Sequence, residues 1–141
     1  MQNQTSDDSV NNESTESLFA KAVRHHRYGE LSKAEALYQA ILIKAPNHTL
    51  TMKKYGVLSF QLSDYLLAER MFEQAYSMAP FEEQLSVNLV MCKIRLKKPA
   101  EALPVIEAIL SNNSDSKIAR DLRTQINTPV NETVADAADA V

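Results

Sequence analysis

The chain matches itself at a fixed offset of 34 residues, and no other feature limits its possible folds as strongly. When Gly29–Pro46 is laid over Ser63–Pro80, Leu31 falls on Tyr65, Ala34 on Ala68 and Glu35 on Glu69. Tyr38 falls on Phe72, Leu42 on Tyr76 and Pro46 on Pro80. A small residue, an aromatic four later and a proline eight after that therefore recur at a constant period. The spacing is that of a helix–turn–helix unit, which cannot bury its apolar face alone and so stacks on copies of itself. A weaker third copy follows. Ala102 and Ile106 continue the small and aromatic positions, while Ser114 stands where the proline is expected.

Helical patterns fill the repeats. The first helix is expected to begin near Thr15, with Thr15 or Ser14 as its cap, and to carry Leu18, Ala22 and His25 on one face. It ends near Tyr28-Gly29, where glycine suits the left-handed residue that follows a helix. Ser32 is expected to cap the second helix, with Glu35 completing a capping box. That helix shows Ala34, Leu37, Tyr38, Ile41 and Leu42 on one face and stops before Pro46, because proline disfavours α geometry in the residue ahead of it. Met52, Tyr55, Gly56, Ser59 and Leu62 mark the next helix, and Asp64 caps its partner, which carries Leu67, Ala68, Met71, Phe72, Ala75 and Met78. The third pair reads as Leu85, Leu89, Val90, Lys93 and Leu96, then Pro99 at the turn or first helical position, then Ala102, Ile106 and Ile109. A last helix, from about Ser116 to Ile126, sets Ile118, Leu122 and Ile126 against charges, giving the polar-backed end that a repeat array needs.

The expected organisation is a domain over 15–126, with repeats at about 15–48, 49–82 and 83–116 and a capping helix at 116–126. Segments 1–14 and 127–141 are rich in polar residues and lack the apolar surface that offsets ordering entropy, so both are expected to be flexible.

A chain of 141 residues suffices for one domain with a sizeable core. Only two glycines and five prolines occur, which favours helix over turn-rich β structure. The formal net charge of −3 leaves no broad basic field for nucleic acid or anionic lipid. Cys92 is the sole cysteine, so neither an internal disulfide nor a cysteine-type zinc site is expected. The polar, acidic start has no apolar run behind it, and no stretch approaches about 20 apolar residues. Neither a secretory signal nor a membrane span is expected, and a cytoplasmic location follows.

Catalytic constellations are missing. With only Gly29 and Gly56 the chain has no glycine-rich phosphate loop, and no Ser-His-Asp order accompanies a nucleophile turn. Glu82-Glu83 sits at a helix start, where acids favour the dipole. Cys92 lies inside an apolar helix, where a lone thiol packs. His25 and His26 are adjacent on a helix and point about 100° apart, which does not suit one metal ion. No enzyme activity, cofactor or metal is expected.

The repeat resembles the tetratricopeptide repeat family. The residues that carry the resemblance are Ala22, Leu31, Ala34, Tyr38 and Pro46, then Gly56, Tyr65, Ala68, Phe72, Ala75 and Pro80, then Ala102 with Leu89, Ile106 and Ile109. The resemblance covers residues 15–126 and implies an all-α, right-handed α-solenoid of antiparallel helix pairs, with the first helix of each pair lining a concave wall. By that register the wall carries Phe19, Val23, His26 and Arg27, then Lys53, Val57, Phe60 and Gln61, then Asn88, Met91, Ile94 and Arg95. Apolar groups interleaved with positive and amide groups suit an extended or helical peptide with apolar and acidic side chains. Some family members grip a C-terminal carboxylate with lysine, asparagine and arginine. Here Phe19 and Val23 stand at the first two of those places and Gln84 and Asn88 at the last two, so that ligand is not expected. The implied function is a non-enzymatic adaptor or scaffold that binds a peptide segment of a larger protein. Three other roles fit the same reading: a cytosolic chaperone for a bacterial secretion substrate, a self-associating assembly component, or a regulatory subunit of a glycan- or polymer-making complex.

Overall fold

The computed structural model describes residues 12–128. Apart from residues 12–14 and 127–128, the terminal segments expected to be flexible lie outside the described residues. Seven helices follow one another from Thr15 to Ile126: α1 (Thr15–Arg27), α2 (Leu31–Lys44), α3 (Thr49–Gln61), α4 (Tyr65–Met78), α5 (Glu83–Arg95), α6 (Pro99–Asn112) and α7 (Lys117–Ile126).

Local chemistry sets their ends. Ser14, rather than Thr15, caps α1 by accepting a hydrogen bond from the Ser17 N–H, and Asp64 and Ser116 do the same for α4 and α7. The capping box expected at Ser32 does not form, since α2 begins at Leu31 with Glu30 as its flanking residue. The reason is the tightness of the preceding turn. Gly29 takes φ 78°, and the N–H of Glu30 returns to the carbonyl of His25 at 2.8 Å, which leaves one residue between turn and helix. Glu30 instead binds Lys33 at 2.7 Å, and Glu35 accepts from the Tyr55 hydroxyl at 3.2 Å.

The same turn recurs with the period of the sequence. Ser63 and Lys97 are left-handed at φ 61° and 59°, and the N–H groups of Asp64 and Lys98 reach Ser59 and Lys93 carbonyls, again at 2.8 Å. Only Gly29 is suited to that geometry without steric cost.

Each helix packs on its sequence neighbours, and α1, α3, α5 and α7 also touch one another in succession. No comparable packing joins α2, α4 and α6 among the described residues. The first helices of the pairs therefore form the inner layer of an arc and the second helices its outer layer. Tyr38, Phe72 and Ile106, 34 residues apart, are fully or almost fully buried between the layers. Phe72 fixes the residue opposite it: a β-carbon on Gly56 would fall 2.5 Å from its ring, so only glycine admits this approach.

One buried charge ties repeat two to repeat three. Lys93 is 4% exposed, and its ammonium lies 2.9 Å from Glu69, 2.5 Å from Glu73 and 2.9 Å from Glu101. Glu69 is also held by Lys98 at 3.0 Å. Burial alone would push the Lys93 ammonium toward neutrality, yet hydrogen bonds to Glu73, Glu69 and Glu101 overcome it and hold the group above its ordinary range. Burial likewise works to raise the Glu69 carboxyl, and the bonds from Lys93 and Lys98 leave it lowered.

Candidate functional site

The twelve wall residues expected from the sequence all lie on α1, α3 and α5, and none is fully buried. Phe19, Val23, His26, Lys53, Val57, Phe60, Asn88, Met91 and Ile94 are half-buried, while Arg27, Gln61 and Arg95 are exposed. Five of them, Val57, Phe60, Gln61, Asn88 and Met91, come together around an open cavity of about 220 Å³. Its sixth lining residue is Phe72 of α4, which the repeat pattern marks as packing. The cavity thus draws its lining from α3, α5 and the packing aromatic of α4.

Neighbouring side chains hold the wall in place. His26 spans two repeats, with Nδ1 2.9 Å from the Tyr38 hydroxyl and Nε2 2.7 Å from Gln61 Oε1. Burial pushes the Tyr38 hydroxyl up to about 12, which keeps this bridge neutral on the phenol side. Lys53 is engaged by Glu82 at 2.9 Å. Phe19 leans on His48, ring centroids 5.6 Å apart, and His48 accepts the Thr51 N–H at the start of α3. The Arg95 guanidinium lies over the Phe60 ring at 5.7 Å and over the Tyr65 ring at 5.8 Å.

Charge is partitioned between the layers. Helices α1, α3 and α5 carry Lys21, Arg24, Arg27, Lys53, Lys54, Lys93 and Arg95 against Glu16 and Glu83. Helices α2, α4 and α6 carry Lys33, Lys44 and Arg70 against Glu35, Glu69, Glu73, Glu101 and Glu107. The inner-layer helices thus carry more cations than acids, although Lys93 is buried among glutamates and Lys53 and Lys21 pair with Glu82 and Glu13.

Other reactive groups are occupied by the fold. Carboxylate oxygens of Glu69, Glu73 and Glu101 lie within 4.8 Å of one another, but the Lys93 ammonium already supplies the cation between them. Cys92 is buried and its thiol is pushed up to about 12 by that burial, with Glu69 adding to the effect. His25 pairs with Glu30 at 3.2 Å. Among the described residues, no helix is long and apolar enough to cross a membrane.

No protein-family model and no curated protein matches the chain in sequence. Solved structures do match in shape. The first tetratricopeptide domain of Spaghetti, bound to an HSP90 peptide, superposes with a TM-score of 0.71 at 16% identity, over 86% of this chain and 93% of that one. MamA MSR-1 gives 0.76 at 14% identity, over 93% and 73%. A further MamA structure is covered over 61% of its length. The Yersinia enterocolitica type III secretion chaperone SycD, in complex with a peptide of the translocator YopD, gives 0.64 at 17% identity, over 79% and 85%. Three equivalent helix hairpins closed by a seventh helix, sharing their shape with these proteins, give the chain the tetratricopeptide-repeat fold, an all-α solenoid.

Proposed function

We propose that the protein is a non-enzymatic interaction module that holds a segment of another protein in its concave groove. The observation that carries this reading is the open cavity of about 220 Å³ on the inner layer, lined by apolar groups and two amides, with the Arg95 guanidinium beside its Phe60 wall. Apolar side chains left half-buried on a concave surface gain by covering. Amides at Gln61 and Asn88 offer hydrogen bonds to a peptide backbone. A wall fixed by bonds such as His26–Gln61 loses little freedom on binding, so more of the contact energy appears as affinity. The partner segment has apolar and acidic character, and the working compartment is the cytoplasm. One version of this role is a chaperone that holds a segment of its partner, as in the complex of the secretion chaperone SycD with a YopD peptide.

The test is affinity capture followed by mass spectrometry, with wild type and the Phe60→Ala/Arg95→Glu double variant run in parallel. Proteins retained by wild type and lost by the variant, whose circular dichroism stays helical, support the groove. An identical set on both baits removes it. Co-expression with a captured partner that is insoluble alone decides for the chaperone version.

A further inference from the structure

Arg95 is an exposed arginine on the groove with no carboxylate partner among the described residues. Its guanidinium rests instead on two aromatic rings, Phe60 and Tyr65, which meet edge to face at 5.0 Å. Contact with the two rings restrains a long side chain that would otherwise sample many rotamers, and its guanidinium N–H groups have no carboxylate to bind among the described residues. Those N–H groups form the planar fork that matches a carboxylate with two parallel hydrogen bonds. Phe60 also lines the apolar cavity, so the cation and the cavity share a wall. No carboxylate lines the cavity. Lys53, another cation expected on this wall, is already held by Glu82.

We propose that Arg95, on its Phe60–Tyr65 platform, is a carboxylate receptor coupled to the apolar cavity, and that together they read a two-part signal. One large apolar side chain of the partner enters the cavity between Val57 and Met91, and an aspartate or glutamate side chain beside it docks on Arg95. The guanidinium stands 5.7 Å from the centre of the ring that lines the cavity. Residues three or four apart on a helix, or two apart on an extended strand, present neighbouring side chains on one face, as these two adjoining sites require. The inference rests on the groove reading and adds to it a chemical rule for the ligand.

The test uses a phage-displayed library of random dodecapeptides panned on the full chain, on Arg95→Gln and on Arg95→Lys. Wild type should enrich peptides with one large apolar residue and an acid two to four positions away. Arg95→Gln should keep the apolar preference and return the acid to its frequency in the library. Arg95→Lys should fall between, having charge without the fork. A synthetic peptide from the wild-type pool should lose about tenfold in affinity when its acid becomes glutamine, a measurement that leaves the protein untouched. Enriched peptides without an acid preference, or with one that Arg95→Gln leaves unchanged, overturn the two-part rule while the groove survives. Failure of wild type to enrich any peptide that the Phe60→Ala/Arg95→Glu variant loses overturns rule and groove together.

Discussion

Replacing Lys93 by methionine should cost the protein about 3 kcal/mol of stability. Methionine keeps most of the side-chain volume, so the substitution tests charge rather than packing. The three carboxylates do not suffer equally. Glu73 and Glu101 have half-exposed side chains and can turn toward water, and their pairs with Lys93 are each worth under about 1 kcal/mol. Glu69 has a side chain only 10% exposed and keeps Lys98 as its remaining partner. Breaking a buried pair from one side costs about 3–5 kcal/mol, and the surviving Lys98 contact places this case at the lower end. Urea unfolding followed by circular dichroism measures the loss directly, with the midpoint falling and the slope unchanged. The Lys93→Met/Glu69→Gln double variant should recover much of it, since no buried carboxylate short of a partner then remains. A single-variant loss below about 1 kcal/mol would refute the argument, because it would mean that the cluster is solvated and contributes like a surface pair.

The same cluster predicts a pH dependence. The Glu69 carboxyl is lowered from its ordinary 4.5, so its contribution is complete above that value and is lost as the pH falls through the folded-state range. Wild type should therefore lose more stability between pH 5 and pH 3 than Glu69→Gln does, as thermal unfolding across that range would reveal. Gly56→Ala should destabilise by about 1–3 kcal/mol through overpacking on Phe72, and a Phe72→Leu second change should relieve part of that loss in denaturant titrations. Asp64→Ala removes the cap of α4 and should cost about 1 kcal/mol by the same measurement. Cys92 should resist iodoacetamide in the folded protein and label at a rate set by unfolding, which mass spectrometry can follow; rapid native labelling would contradict its burial.

Much of the fold could be read from the sequence because its determinants are periodic. Ala34, Ala68 and Ala102 mark the tight contacts, Pro46 and Pro80 stop helices, and Gly29 announces its turn. The equivalent turns at Ser63 and Lys97 carry no such signal, since neither residue type prefers the left-handed region and only the surrounding hairpin forces them there. Ser32 misleads for a related reason: residue preference for capping yields to a turn that has already set where α2 begins. The register carried by the family resemblance puts the twelve wall residues on α1, α3 and α5, where they are half-buried or exposed. The part Phe72 plays in lining the cavity was not legible, because a sequence shows that an aromatic packs but not that its ring also borders open space. The Lys93 cluster was also hidden. Lys93 reads as one position on an apolar face, and its partners come from α4 and α6, twenty-four and twenty residues before it and eight after. A lysine at a core position flanked by unpaired glutamates in adjoining helices is the signal that would have found it.

The three hairpin turns close with the same bond at the same length, spaced one period apart. A splice made at one turn therefore meets the geometry of the next. Inserting a second copy of residues 64–97 after Lys97 would present each junction with the backbone it already has, and the copy would bring its own Glu69, Glu73 and Lys93. Length in this molecule is thus quantised: it can grow or shrink by a whole unit and stay in phase, whereas a lesser change between turns would shift every later helix off its neighbour.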